Sequence, residues 1–194
     1  MSPEINELIE TFSKLPGLGP RSAKKLVIEL LSNHLSLIDT LGAKLSDIKH
    51  KIVQCEQCFN IDTFSPCSIC TDTSRHLKQI CIVEKVSDMW AFENTKAYHG
   101  FYHILGGTLS PIDNKGPEEI HLPQLLQHIQ THEVEEVILA LNATIESQTT
   151  AHYLEKAIQP YEVKITKISQ GIPLGGELNY LDEGTLITAF QARQ

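Results

Sequence analysis

Residues 14–25 read KLPGLGPRSAKK, and this stretch predicts how the N-terminal part of the chain folds. Apolar residues precede it at the i, i+3, i+4, i+7 spacing of an amphipathic helix: Ile5, Leu8, Ile9 and Phe12. Pro16 and Gly17 end that helix, and Pro20 begins a second one, since proline suits the first helical position. The second helix has an apolar stripe of its own: Ala23, Leu26, Val27 and Leu30. The pattern predicts two short helices joined by a glycine hairpin.

This hairpin concentrates positive charge in an acidic chain. The formal net charge is −8, yet the twelve hairpin residues hold four cations and no acid: Lys14, Arg21, Lys24 and Lys25. Residues 1–52 contain seven Lys and Arg against six Asp and Glu, whereas residues 53–194 contain nine against eighteen. Any contact with nucleic acid is therefore expected at the hairpin, and the acidic remainder serves solubility or protein partners.

The residue types of the hairpin favour a phosphate ligand. Gly17 and Gly19 let another backbone come close, and the free N–H groups at a helix start attract an anion. Arg21 and Lys25 lie one helical turn apart on the exposed side, beside Lys24. These five residues are the candidate DNA-binding residues, and such contacts are independent of base sequence and sensitive to salt. Local sequence leaves a second interpretation open, a plain helical hairpin with a solvated basic face.

Four cysteines have the spacing of a metal site. CEQCFNIDTFSPCSIC is a C-x2-C-x8-C-x2-C pattern whose candidate ligands are Cys55, Cys58, Cys67 and Cys70. Two C-x-x-C turns direct four thiolates at one ion, which is the closed tetrahedral arrangement of structural Zn²⁺. The pattern predicts one structural zinc ion without a position for catalytic water, and an iron–sulfur cluster is the minor alternative. Cys81, in the apolar run ICIV, is interpreted as a buried core thiol.

From residue 78 onward, candidate strands alternate with candidate helices. Three runs predict strands: ICIVEK at 80–85, VILALNA at 137–143 and KITKIS at 164–169. Helices are expected around 117–132 and 147–158. This alternation predicts a mainly parallel sheet covered on both faces. Glu84 and Asn142 follow two of these strands, at the edge where sites in α/β folds usually form.

Several further blocks carry a resemblance to a known family. Four stretches are similar to diagnostic blocks of the RecR family of bacterial recombination mediators: YHGFYHILGGTLSPID at 98–113, GPEE at 116–119, ESQTTAHYL at 146–154 and GIPLGGELNYLDEGTL at 171–186. The hairpin, at residues 15–19 and Ala23, resembles the helix-hairpin-helix motif of DNA-repair proteins. The order of the modules is also that of the RecR family, and the resemblance covers essentially the whole chain.

The resemblance implies a multi-module α/β fold. Its expected parts are an N-terminal helical hairpin in a DNA-binding region at 1–52, a small four-cysteine zinc finger at 53–76, a Toprim domain at 77–172 with a mainly parallel sheet, and a short C-terminal oligomerisation segment at 173–194. The last segment offers apolar contacts at Tyr180, Leu181, Leu186 and Ile187. Packing of these residues within one chain is an equally simple explanation.

The resemblance also implies a function. Members of the family are non-catalytic and assemble as ring-like oligomers, here a dimer or tetramer. With RecO they help to load RecA onto single-stranded DNA, and with RecF they act at gapped DNA. The resemblance implies a bacterial protein associated with the nucleoid. A cytoplasmic location is expected because the sequence has no signal-peptide pattern and no apolar run long enough for a bilayer.

The family's site residues map onto this sequence with some departures. Arg21 and Lys25 match basic positions linked to DNA binding, and Glu84 and Glu146 match acidic Toprim positions on the side that meets RecO. The departures are three: Asn114 in place of the first glycine of the usual Asp-Gly-x-Gly-Pro, Ser147-Gln148 in place of Gly-Glu, and Lys167 where arginine is common. The second departure removes a carboxylate from the expected partner surface.

Two other classes of function compete with this interpretation. A Mg²⁺-dependent Toprim nuclease or topoisomerase needs a glutamate after one strand and Asp-x-Asp after a later strand. Glu84 supplies the first, but Asn142-Ala143-Thr144 contains no aspartate, so Glu84 is interpreted as a structural or partner-facing acid. GIPLGGEL lacks the lysine of a phosphate-binding loop, which argues against ATP hydrolysis. The other rival is a zinc-stabilised adaptor that makes no contact with DNA.

Overall fold

The computed structural model describes residues 1–110, 115–169 and 181–191. The chain forms two compact units, Met1–Ile52 and Val53–Gln194. The departure at Asn114 lies outside the described residues, as does half of the expected C-terminal segment, including Tyr180. Within the described ranges, no helix is both long enough and apolar enough to cross a membrane.

The first unit is made of three helices: α1 (Pro3–Ser13), α2 (Pro20–Asn33) and α3 (Leu35–Lys51). Ser2 is the N-cap of helix α1, and its hydroxyl accepts a hydrogen bond from the Ile5 amide (3.4 Å). Helix α2 packs against α1 through Ala23 and Val27, which are fully buried. The two-helix hairpin predicted from the sequence is therefore present.

Helix α3 is present in the structure but is not predicted from the sequence. It has no buried residue, and its leucines and isoleucines are largely exposed, with Leu45 at 65%. One exposed ion pair supports it at i, i+4 spacing, between Lys51 and Asp47 (2.7 Å). Its last turn contains three basic residues, which complement the helix dipole: Lys49, His50 and Lys51.

The second unit is built on a four-stranded parallel sheet. Its strands and helices are, in chain order, β1 (Val53–Gln54), β2 (Ile61–Asp62), β3 (His76–Val83), α4 (Val86–Thr95), β4 (Gly100–Ile104), α5 (Leu122–Thr131), β5 (Glu136–Leu139), α6 (Ile145–Ile158), a 3₁₀ turn (Gln159–Tyr161), β6 (Lys164–Lys167) and α7 (Glu183–Gln191). The large sheet has the order β4-β3-β5-β6, and every neighbouring pair is parallel. Strands β1 and β2 form a separate antiparallel pair within the cysteine-rich segment.

Alternate residues of the central strand β3 supply the two faces of the sheet. Ile80 and Ile82 join an apolar cluster with residues of α5 and α6. Cys81 and Val83 point to the opposite face, where the cluster includes Met89 of α4 and the cysteines of the finger. The sheet is therefore covered on both sides, as the alternating pattern predicts.

Three elements differ from the sequence expectations. The sequence pattern does not predict strand β4 or helix α4, because GFYHI mixes glycine and histidine with its apolar residues although all five residues are buried. Helix α5 begins at Leu122 rather than near residue 117, since Pro123 lacks an N–H and fits only the first helical turn.

Cys81 is a buried core thiol, as predicted, and burial raises its pKa to about 12.

Candidate nucleic-acid interface and metal centre

The glycine hairpin between α1 and α2 is exposed and conformationally special. Gly17 has φ +80°, a left-handed conformation that suits glycine, and Leu18 donates to the Leu15 carbonyl oxygen (3.1 Å) to close the turn. A side chain placed at Gly17 or Gly19 would meet no atom within 4 Å. The space in front of both glycines is therefore open to an approaching backbone.

The start of α2 presents unsatisfied amides to that space. Gly19 is the N-cap, Pro20 follows it, and the first helical hydrogen bond runs from the Ala23 amide to the Gly19 carbonyl (2.9 Å). Gly19 has no side chain that could cap the amides of Arg21 and Ser22. This geometry is suited to a phosphate oxygen, which free N–H groups and the positive end of the helix dipole both attract.

The candidate cations lie around this opening. Arg21, Lys24 and Lys25 are all exposed, whereas Ala23 between them is buried against α1. Within the described ranges, no ion pair engages any of the three cations. Their charges are therefore available to an external anion, with Arg21 and Lys25 one turn apart.

The four cysteines of the finger converge on one point. Their sulfur atoms all lie within 4.8 Å of one another, and Cys55, Cys58 and Cys67 are completely buried. The Cys58–Cys67 sulfur distance is 3.5 Å and the Cys55–Cys70 distance is 3.9 Å. A regular tetrahedron with Zn–S bonds of about 2.3 Å has S–S edges of about 3.8 Å, so the cluster has the size of a zinc site. No disulfide links the cysteines.

Local hydrogen bonding also suits thiolate ligands. The Cys67 amide donates to the Cys55 sulfur (3.3 Å), a contact that stabilises negative charge on the sulfur. The pKa of Cys67 is lowered, chiefly by its hydrogen bond with Cys58. The pKa of Cys70 is raised, chiefly by a separate interaction of its own with Cys58. Four crowded thiols cannot all ionise by themselves, and a dication favours the thiolate at every position. The chemistry of the donor set therefore fits one structural Zn²⁺.

The finger is joined to the sheet by specific hydrogen bonds. The Ile104 amide at the end of β4 donates to the Cys58 carbonyl oxygen (3.0 Å), and the Trp90 indole of α4 donates to the Asn60 side-chain oxygen (3.0 Å). Cys55, Cys58 and Cys67 themselves belong to the apolar cluster on that face. Metal binding therefore stabilises the sheet as well as the finger.

The acid that follows β3 is buried. Glu84 is 5% exposed, and its carboxylate accepts hydrogen bonds from the backbone and side-chain nitrogens of Asn142 (2.7 and 2.8 Å). The hydroxyl of Ser147, in the first turn of α6, also donates to it. These donors occupy the carboxylate that a Toprim enzyme would offer to Mg²⁺.

The two expected partner-binding acids have different surroundings. Glu146 is exposed in the first turn of α6, whereas Glu84 is enclosed. The sequence identifies Asn142 as a strand-end residue and Ser147 as a departure, but it does not by itself pair either with Glu84. The sequence does contain a signal for this pairing, because polar residues that directly follow neighbouring parallel strands meet at one edge of the sheet.

The modules in this order define a class: a zinc-finger and Toprim protein of DNA recombination and repair. Family profiles match along the chain, namely the RecR helix-hairpin-helix at 5–49, the RecR four-cysteine zinc finger domain at 52–72, the Toprim domain at 78–169 and the RecR C-terminal region at 171–194. The chain belongs to the RecR family of recombination proteins.

Individual relatives agree with the family profiles. Proteins named Recombination protein RecR from Xanthobacter autotrophicus and Mesorhizobium japonicum are both 47% identical to this chain, and the one from Bartonella henselae is 46% identical. Each similarity extends over 191 residues, covering 98% of this chain and 95% of the relative. The family resemblance, the multi-module fold and the single structural zinc site expected from the sequence are thus confirmed.

Proposed function

We propose that this protein is a non-catalytic recombination mediator that holds DNA by its phosphates. In this proposal it acts with RecO and RecF to promote loading of RecA onto single-stranded DNA at gaps. The functional regions are 1–52 for DNA, 53–76 for zinc, 77–172 for the Toprim domain and 173–194 for oligomerisation. Membership of the RecR family in DNA repair supports the biological context, the bacterial cytoplasm at the nucleoid.

One observation carries the DNA-binding part of the proposal: the hairpin is exposed, with open amides and unpaired cations. The glycines Gly17 and Gly19 leave room for a phosphate, and Arg21, Lys24 and Lys25 neutralise it. Contacts of this type position a duplex or single strand without reading its bases. The alternative adaptor that avoids DNA gives no reason for an uncapped helix start beside unpaired cations.

Assembly of several subunits would strengthen a weak individual contact. One hairpin offers only a few cations, and a ring-like dimer or tetramer converts later contacts into intramolecular ones. Glu146, exposed on α6, is the acid available to a partner such as RecO. Glu84 is buried, so we assign it an indirect part in that surface, through its hydrogen bond from Ser147.

The proposal of a non-catalytic Toprim domain is supported by the surroundings of Glu84. Its carboxylate is engaged by three donors, and Asn142 stands where an enzyme has an acid. A neutral amide adds no charge with which to hold Mg²⁺ for phosphoryl transfer. We expect no Mg²⁺-dependent DNA cleavage or ligation, and a turnover signal that disappears in Glu84→Gln would overturn the proposal.

The decisive experiment changes Arg21 and Lys25 to alanine together. DNA affinity at low salt should decrease strongly. The magnitude of the slope of log affinity against log salt should decrease by about two for each bound subunit, because each subunit loses two phosphate contacts. The matched control is the double change of Lys44 and Lys49 to alanine, which removes the same charge from exposed positions of α3. An equal loss in both variants would mean that overall charge, not the hairpin, binds DNA.

A further inference from the structure

A polar cleft lies between the first turn of the zinc finger and helix α5. It has a volume of about 210 Å³, and its lining includes Glu56 and Gln57 from between the first two cysteines, together with His128 and His132 of the helix end. Neither histidine belongs to the cysteine cluster or to the DNA-binding hairpin. Two imidazoles and a carboxylate therefore line one cleft, and none of them has a role in the proposed function.

The two histidines have the sequence spacing of a helical chelate. They are spaced i, i+4, and the His132 amide donates to the His128 carbonyl oxygen (3.1 Å), which preserves one helical turn between them. Their ring centroids are 4.4 Å apart at an interplanar angle of 60°. Two histidines at this spacing on one helical face are a recurrent way of holding a transition metal.

The ring nitrogens are free to act as ligands. Among the described residues, no hydrogen bond or ion pair is made by a ring nitrogen of His128 or His132, in contrast to His103 and His121, whose rings contact carbonyl oxygens at 2.8 Å. Burial, followed by the proximity of His132, lowers the pKa of His128 to about 4. Neutral imidazole is the form that binds metals, so the direction of this pKa shift is compatible with a ligand role.

The finger contributes a carboxylate to the lining of the same cleft. Glu56 is exposed, and its backbone amide donates to the Ser65 hydroxyl (3.0 Å), which holds the turn while leaving the carboxylate unpaired among the described residues. Rotation of an exposed side chain is fast and does not disturb the core. Two imidazoles, one carboxylate and water form a donor set that suits Zn²⁺, Ni²⁺, Co²⁺ and Cu²⁺ rather than Mg²⁺ or Ca²⁺.

We propose that His128, His132 and Glu56 form a second metal site, which takes a divalent transition-metal ion and links the zinc finger to helix α5. Unlike the buried cysteine cluster, this site opens to solvent and keeps water ligands, so its ion exchanges readily. Occupancy stabilises the folded protein, because the ion binds the folded arrangement and not the separated ligands.

Nickel titration of the full chain, without a histidine tag and with its structural zinc retained, tests the proposal. Calorimetry should show one Ni²⁺ bound per chain, with the affinity reduced about tenfold or more in His132→Ala and by a smaller factor in Glu56→Gln. The matched control is His152→Ala, which removes another exposed helical histidine, and it should bind Ni²⁺ as the unmodified protein does. Zinc analysis after titration verifies that the cysteine site is unchanged.

Thermal unfolding gives a second readout. Added Ni²⁺ should raise the Tm of the unmodified protein and of His152→Ala, and it should not raise the Tm of His132→Ala. Paramagnetic broadening should appear first at the ring signals of His128 and His132. Equal Ni²⁺ affinity in His132→Ala and the unmodified protein, or broadening centred on another histidine, would overturn the proposal.

Discussion

Glu84 and Asn142 lie 58 residues apart in the chain, yet both nitrogens of Asn142 donate to the Glu84 carboxylate, at 2.7 and 2.8 Å. The pair exists because β3 and β5 are adjacent and parallel, so the residues that follow them meet at one edge of the sheet. Ser147 adds a third hydrogen bond from the start of α6. The position at which a Toprim enzyme places a metal-binding acid is used here for internal hydrogen bonding.

Replacing Glu84 with glutamine should destabilise the protein. The amide keeps the shape of the side chain but turns an NH₂ group toward a donor, which leaves buried polar groups unsatisfied. We expect a loss of about 1–3 kcal/mol in the free energy of unfolding, measured by urea denaturation. Glu146→Gln is the control, because Glu146 is exposed and its change should stay within about 0.5 kcal/mol. Equal effects of the two substitutions would contradict the internal role of Glu84.

The hairpin glycines should respond in opposite directions. Gly17→Ala forces a side chain onto φ +80° and should lower both stability, by about 1 kcal/mol, and DNA affinity. Gly19→Ser places a better N-cap at the start of α2 and should raise stability by roughly a few tenths of a kcal/mol, since glycine is already a tolerated N-cap. The new hydroxyl nevertheless occupies an amide that we assign to phosphate, so DNA affinity should fall.

Thermal unfolding and DNA titration of both glycine variants measure these effects. The informative result is Gly19→Ser, because a protein that is more stable but binds DNA more weakly cannot be explained by unfolding. Unchanged or improved DNA binding in Gly19→Ser would contradict phosphate binding at the helix start.

Loss of one zinc ligand should loosen the sheet as well as the finger. In Cys67→Ser we expect loss of the metal, whose binding contributes on the order of 10 kcal/mol to folding in comparable peptides, and poor soluble yield. Hydrogen exchange should accelerate at the Ile104 amide, since its acceptor is the Cys58 carbonyl oxygen. Cys81→Ala is the control: it removes a buried thiol outside the cluster and should retain one zinc per chain. Full zinc content in Cys67→Ser would exclude the four-cysteine site.

Acid should destabilise the fold through buried histidines. His103 is completely buried, its Nε2 lies 2.8 Å from the His121 carbonyl oxygen, and burial lowers its pKa to about 3. Since the unfolded chain takes up a proton near pH 6.5 that the folded chain does not, stability falls as the pH drops from 6.5 toward the folded pKa. The slope approaches about 1.4 kcal/mol per pH unit for each such histidine.

Urea unfolding between about pH 5 and 7, with zinc content monitored, measures that slope. His103→Phe should be less stable at neutral pH because a hydrogen bond is lost. The slope of its unfolding free energy against pH should also be smaller, by the contribution of about one proton taken up on unfolding. An unchanged slope in His103→Phe would show that other groups are responsible for the acid sensitivity.

The sequence predicted the features that depend on local spacing. The two C-x-x-C turns define the metal site because ligand geometry requires that spacing, and the glycine hairpin follows from the backbone preferences of Gly17, Gly19 and Pro20. Alternating apolar runs indicated a parallel sheet, and the order of modules carried the family resemblance. Helix α3 and strand β4 do not follow from the sequence, since an exposed apolar helix and a strand containing glycine and histidine both depart from simple patterns.

Only the tertiary structure decided which distant residues meet. Glu84 and Ser147 are 63 residues apart, and their contact depends on the strand order β4-β3-β5-β6. The placement of Glu56, His128 and His132 along one cleft likewise depends on how the finger packs against the sheet. The physical reason is that spacing along a chain constrains neighbours within one helix, strand or turn, whereas contacts between such elements arise from burial of apolar surface that many sequences can satisfy in different ways.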